Sequence, residues 1–189
     1  KIGTVVETGQ CGNNLTYSLV INGINSEGKD TYDLIIEGFG DMYNYLPEIE
    51  FDEESNSWHA CNTAPWGDKY KYILTLKMSN KITSIGAYAF NGCCNLMGQL
   101  KLPDNLKRIE SGAFQRCQSL TGSLSIPDGT TYVGAYSFED CSGLDGELVL
   151  PDELEYIGDA AFWDCSGLKG ELIIPSKITM IEGHVFQNC

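Results

Sequence analysis

With 189 residues, 42% hydrophobic and 20% charged, the chain is long enough to bury one large core or two small ones, and its composition excludes wholesale disorder. Twenty-six acidic against 12 basic residues give a formal net charge of −14 and a pI near 4.3, which repels nucleic-acid phosphates and anionic lipid surfaces and sets those partners aside. The sequence contains no run of about 18 apolar residues that could span a membrane as a helix.

The first stretch, residues 1–70, is the more acidic one, with 12 acidic and 3 basic residues against 14 and 9 in residues 71–189. Lys1-Ile2-Gly3-Thr4 carries no hydrophobic signal core. The absent initial Met and the stop in mid-pattern at Cys189 lead us to expect a processed or trimmed piece of a longer protein. Leu15 to Ile21 and Tyr32 to Ile36 read as strands separated by the turn pairs Asn22-Gly23 and Glu27-Gly28, a hairpin signature. Gly38-Phe39-Gly40, Met42-Tyr43, a long acidic loop through Phe51-Asp52-Glu53-Glu54-Ser55, and Ala64-Pro65-Trp66 follow.

From residue 71 the chain is periodic. Phe90, Phe114, Phe138, Phe162 and Phe186 recur every 24 residues, each followed three residues later by Cys93, Cys117, Cys141, Cys165 and Cys189. Leu96, Gly98, Leu100 and Pro103 repeat at the same interval, and Ile85, Ile109, Val133, Ile157 and Ile181 lead into each Phe. Leu100-Lys101-Leu102 and its equivalents alternate in the manner of a strand with one buried face, closed by a proline that cannot donate to a ladder. The Ala-Phe-x-x-Cys step is too short for an independent helix and reads as a single helical or 3₁₀ turn. Such coils stack in register about 4.8 Å apart, as parallel strands do, and no coil buries its apolar face alone. Residues 71–189 are therefore expected to form about five coils, the last of them uncapped. Residues 1–70 are expected to be a small β-rich N-terminal cap, with Trp66 and Tyr70 sealing the first coil.

Residues with chemistry to offer are mostly absorbed by this period. A straight row of cysteines cannot converge four sulfurs on one zinc at about 2.3 Å, so the five periodic cysteines read as buried thiols. Cys11 and Cys61 lie outside the row, where an exported protein can cross-link them or leave two free thiols. His59 and His184 sit in no nucleophile, zinc or phosphate-loop motif. The stacked Asp104, Asp128 and Asp152 follow prolines, as turn residues do. No catalytic, cofactor or metal residue is assigned.

What remains are the positions free to vary. Opposite the buried leucines, Lys77, Gln99, Lys101, Ser125, Glu147, Val149, Glu171 and Ile173 stand in exposed columns over five expected strands, roughly 20 Å across. Val149 and Ile173 make an apolar spot rimmed by Glu147 and Glu171. A second column, Arg108, Tyr132, Tyr156 and Met180, with Trp163 near it, holds residue types enriched in interface cores.

The units Ile82-Thr83-Ser84-Ile85-Gly86-Ala87-Tyr88-Ala89-Phe90-Asn91-Gly92-Cys93 and Leu96-Met97-Gly98-Gln99-Leu100-Lys101-Leu102-Pro103 resemble the BspA-like, or Treponema pallidum-type, leucine-rich repeats. Cys11 to Tyr17, Gly38, Gly40, Met42-Tyr43 and Pro65-Trp66 look like the cap that commonly precedes them. The 24-residue unit, the extra Gly before the strand and the insertion around Cys61 depart from the commonest pattern. The resemblance implies a leucine-rich-repeat solenoid, a right-handed coil with a parallel β-sheet. It also implies an exported bacterial surface protein, in a family whose members attach to host matrix proteins or other cells. The expected function is non-catalytic recognition or adhesion, at the cell surface or secreted, with a host or neighbouring-cell surface protein or glycan as partner. The alternative is a structural spacer or a unit that self-associates end to end.

Overall fold

The computed structural model describes residues 1–46, 48–52 and 57–189, with the backbone alone described for 48–52 and 57–61. The acidic stretch opens with three antiparallel strands, β1 (Val5–Gly12), β2 (Leu15–Ile24) and β3 (Asp30–Gly38). Alternation along β2 buries Leu15, Tyr17, Leu19 and Ile21 on one face, and Tyr17 pairs with Ile36. β2 and β3 form the expected hairpin. β1 was not anticipated, because Val5 and Val6 are both exposed and leave no period of two to read.

β4 (Gly40–Asp41) comes next, followed by a hairpin of β5 (Glu48–Asp52) and β6 (Ser57–Cys61) where a long loop was expected. Residues 53–56 of that expected loop lie outside the described residues. A 3₁₀ helix (Gly67–Tyr72) then delivers the chain into β7 (Ile73–Met78) and β8 (Ile82–Ile85). β7 runs parallel to β3, and β8 parallel to β4, so both strands that open the repeat pair with strands of the preceding segment.

The remaining strands are two residues long: β9 (Arg108–Ile109), β10 (Leu124–Ser125), β11 (Tyr132–Val133), β12 (Leu148–Val149) and β13 (Tyr156–Ile157). Their distribution corrects the sequence reading. The extensive parallel sheet, in the order β13-β11-β9-β8-β4, lies at the Ile-Gly step and not along the Leu-x-Leu segments. Among the Leu-x-Leu segments that follow β7, only β10 and β12 form a strand pair. Between the unpaired Leu100 segment and β10 the Gln99 side chain donates Nε2 to the Ser123 carbonyl at 3.2 Å, whereas between β10 and β12 the backbone N–H of Leu124 reaches the equivalent carbonyl, Glu147 O, at 2.9 Å.

Close approach at the Ile-Gly step is permitted by glycine. A Cβ at Gly134 would stand 2.6 Å from the Ser111 nitrogen, and one at Gly158 2.4 Å from the Ala135 nitrogen. The Ala-Phe-x-x-Cys segment is a chain of tight turns. Cys93 N–H donates to the Phe90 carbonyl, and Cys117 N–H to that of Phe114, while Tyr88, Tyr136 and Ala160 are forced to positive φ.

Inside these turns the phenylalanines form one column. Phe90 and Phe114 stack with centroids 5.0 Å apart, Phe114 and Phe138 at 5.4 Å, Phe138 and Phe162 at 5.5 Å, and Phe162 and Phe186 at 5.6 Å. The rings from Phe90 to Phe162 are fully buried, each contributing about 1.5–3 kcal/mol through area removed from water. Trp66 extends the column by stacking on Phe90 at 5.6 Å, 11° from parallel. Tyr17 and Tyr45 meet the indole edge-on, so one hydrophobic core runs from the first strands through the coils.

Candidate functional site

The exposed columns are built by the same alternation that builds the core. Lys77, on β7, is exposed, as are Gln99, Lys101, Ser125, Glu147, Val149, Glu171 and Ile173. Ser125 and Val149 are direct register partners. Val149 and Ile173 are 48% and 73% exposed, an apolar pair flanked by exposed Glu147 and Glu171. Gln99, Lys101, Ser125, Asp104 and Asp128 line an open cavity of about 650 Å³ between two coils.

The second column lies on the five-stranded sheet. Arg108, Tyr132 and Tyr156 are register partners on β9, β11 and β13. The Arg108 guanidinium sits 3.9 Å from the Tyr132 ring centroid, and Tyr132 stacks on Tyr156 at 5.0 Å. Arg108 Nε also donates to Glu110 Oε1 at 2.7 Å, which holds the guanidinium charged and pushes its pKa up. Glu110 was not singled out in the sequence. Its signal was available, since a carboxylate two residues after an exposed arginine on a short strand lies beside it.

Trp163 belongs to a neighbouring turn. Its ring faces His184 at 6.0 Å, and His184 Nδ1 lies 3.5 Å from Asp159 Oδ1. Tyr136 donates its hydroxyl to Asp159 Oδ2 at 3.4 Å. This group of four was not foreseen, because Asp159 and Trp163 come from columns other than the one that Tyr136 and His184 share.

The cysteine row is buried from Cys93 to Cys165, and Cys189 is exposed. Cys117, Cys141, Cys165 and Cys189 donate their thiols to the carbonyls of Phe90, Phe114, Phe138 and Phe162 at 3.0–3.2 Å. Burial pushes the Cys117 and Cys141 thiols far up and that of Cys165 to about 12, so thiolate chemistry is suppressed along the row. Cys11 is fully buried, and burial pushes its thiol up to about 12. The side chain of Cys61, for which a cross-link to Cys11 and a free thiol were both open in the sequence, lies outside the described residues, as does that of His59. Among the described residues no three His, Cys, Asp or Glu side chains converge in a metal-holding arrangement. Among them, too, no helix is long and apolar enough to cross a membrane.

Residues 69–189 match, in six copies, the family model described as the BspA type leucine rich repeat region. The chain belongs to this family. Among solved structures, a leucine-rich repeat protein from Eubacterium ventriosum aligns with a TM-score of 0.55 at 20% identity, covering 86% of this chain and 42% of that one. The T. pallidum leucine-rich repeat protein aligns with a TM-score of 0.50 at 24% identity, covering 80% of this chain and 66% of that one. The chain thus spans less than half of the first relative's length and about two thirds of the second's. No curated protein matches it. The BspA-type repeat fold is therefore established, with parallel sheets between its coils. Leucine-rich repeats generally serve as non-catalytic binding modules, and the family match points to a protein-interaction module.

Proposed function

We propose that this chain is a recognition or adhesion module, cell-surface or secreted, that binds a protein or glycan ligand through the exposed columns of its repeat without catalysing a reaction. In this reading residues 1–70 are the cap, and residues 71–189 are a right-handed coil of 24-residue repeats. The observation that carries the proposal is the contrast within each unit. Positions facing inward repeat as Phe, Cys and Leu and are buried, whereas their outward neighbours change from Lys77 and Lys101 to Glu147 and Glu171 and are exposed. Outward positions so varied over a constant scaffold supply a patch of specific shape and charge. The test is retention of the chain on an array of host matrix proteins, mucins and surface glycans. Selective, saturable retention by a small subset supports the proposal, and no retention on any of them counts against it.

A further inference from the structure

The net charge of −14 averages over a marked segregation. Residues 1–68 hold 12 acidic and 2 basic residues, and residues 117–189 again hold 12 and 2, whereas residues 69–116 between them hold 8 basic and 2 acidic. The first coils thus form a cationic band between two anionic segments. Part of the band's charge is already matched, Lys69 by Glu7 and Arg108 by Glu110. Lys77, Lys81 and Lys101 are exposed, and among the described residues none of them forms an ion pair with a carboxylate.

Two of these lysines share a cleft with an aromatic ring. Lys77, Ser79 and Lys81, just past β7, and Ile35, Glu37 and Phe39, at the end of β3, line an open cavity of about 460 Å³. Phe39 is 56% exposed although the chain is held on both sides of it, its own N–H donating to Asn14 O and that of Gly40 to Lys81 O, each at 3.1 Å. Gly38 and Gly40 take φ of +110° and +90°, and a Cβ at Gly38 would stand 2.0 Å from the Asn14 oxygen. The ring is therefore presented by a bonded turn and is not the product of a frayed end. Lys101, 24 residues beyond Lys77, repeats its position one coil further along the stack, about 4.8 Å away.

We propose that this cleft binds an anionic polysaccharide, whose carboxylates or sulfates meet Lys77, Lys81 and Lys101 while a sugar ring packs on Phe39. The proposal rests on the reading of this chain as an interaction module and deepens it by naming a site and a ligand class. An ammonium is a compact point charge that accepts a carboxylate or sulfate from many directions, and the apolar face of a sugar ring suits an aromatic side chain. An acidic peptide gains less here. Peptides bind sheets mainly through main-chain hydrogen bonds, and the β3 and β7 backbones that line the cleft are already paired with each other from Tyr32 to Ile36. The band is also narrow, about two coils or roughly 10 Å. A nucleic-acid duplex or a lipid surface laid across it would meet the acidic flanks, whereas a single polymer strand lying along a coil would not. Glu37 is the one carboxylate in the lining, and its charge opposes the ligand's.

The experiment is a calorimetric titration of the whole chain with a size-defined heparin oligosaccharide, with dextran, polyglutamate and oligothymidylate of similar length as comparisons. Heparin should bind saturably and more weakly as salt rises, and uncharged dextran should not bind. Lys77→Gln/Lys81→Gln should weaken heparin by roughly tenfold or more, and Glu37→Gln should strengthen it severalfold. Phe39→Ser should weaken it roughly threefold to tenfold with the salt dependence unchanged, since the lost contact is uncharged. Equal heparin binding by wild type, Lys77→Gln/Lys81→Gln and Phe39→Ser would overturn the proposal. Tighter binding of polyglutamate or oligothymidylate than of heparin would also overturn it, placing an acidic peptide or a nucleic-acid strand in the cleft. No heparin binding at about 1 mM would overturn it too, while retention of the chain by another ligand of the array would leave the module reading intact. Failure of the module reading is seen separately, as absence of retention on the whole array.

Discussion

Trp66 donates its indole N–H to the carbonyl of Ala89 at 2.9 Å, an oxygen whose equivalents in the following coils receive backbone N–H groups. Phe90 N–H reaches Ala113 O, Phe114 N–H reaches Ser137 O, and Phe138 N–H reaches Ala161 O, each near 2.8 Å. The segment ahead of Ala89 does not repeat, so a side chain serves this oxygen, and the Asn62 amide serves Asn91 O in the same way at 2.8 Å. The preceding segment thus ends the stack in both senses, covering the apolar ring of Phe90 and pairing the carbonyls beside it. Trp66→Phe keeps the ring and loses the donor, which should cost about 1–3 kcal/mol. Trp66→Ala loses both and should cost about 3–5 kcal/mol, as should Phe138→Ala in mid-column. Urea denaturation of the three variants checks this order, and equal midpoints for wild type and Phe138→Ala would remove the buried column.

The sheet at the Ile-Gly step depends on backbone approach. Gly158→Ala places a methyl 2.4 Å from the Ala135 nitrogen and must push two coils apart, at a cost of about 1–3 kcal/mol. Gly28 sits at φ +78°, and a methyl there would meet nothing within 4 Å, so Gly28→Ala should cost only the left-handed strain, about 1–2 kcal/mol. Hydrogen exchange separates the two effects. Gly158→Ala should accelerate exchange at residue 158 and at Glu155, whose N–H groups bond the preceding coil, and Gly28→Ala should leave both protected.

Thiol labelling should follow burial. Cys94 is half-buried, whereas Cys93, Cys117, Cys141 and Cys165 are fully buried, with thiols raised by desolvation. Iodoacetamide at pH 8, followed by peptide mapping, should modify Cys94 well before any of those four, and denaturant should bring all of them to a similar rate. Early modification of Cys141 in the native protein would contradict the packed row.

The contact between β1 and the 3₁₀ helix carries a pH dependence. Lys69 Nζ donates to Glu7 Oε2 at 2.8 Å, and Tyr17 donates its hydroxyl to Glu7 Oε1 at 2.7 Å. The hydrogen bond from Lys69 is the largest influence and holds the Glu7 carboxyl below its ordinary value of 4.5. A carboxyl lowered in the folded state adds stability that is fully present above the unfolded value and is lost as pH falls through the folded one. Glu7→Gln should therefore lower stability by about 1 kcal/mol at pH 7, and the difference should close below pH 4.5. Melting temperatures of both proteins across pH 3–7 test the sign.

Much of this architecture was legible because identical residues at constant offset must stack. Phe90 to Phe186 and Cys93 to Cys189 could be placed in columns without coordinates. The ladder itself was misplaced, since alternation at Leu100-Lys101-Leu102 records burial and not hydrogen bonding. Pairing follows the glycine-permitted approach at Gly134 and Gly158. The packing of Trp66 against the first coil was readable from the sequence, but not the Trp66 to Ala89 bond, which crosses 23 residues with no period to announce it. Arg108, Tyr132 and Tyr156 were visible as one varying column. That Glu110 clamps the guanidinium emerged only when side-chain distances were in hand.

The claim that the exposed columns carry recognition is tested most directly by comparing three proteins on one ligand array. These are the wild type, a Glu147→Lys/Glu171→Lys variant and a Tyr132→Ser/Tyr156→Ser variant, each with its fold verified by circular dichroism. The prediction is a ligand that the wild type retains and that at least one variant loses by tenfold or more, about 1.4 kcal/mol of binding free energy. Equal retention of every ligand by all three proteins would contradict it.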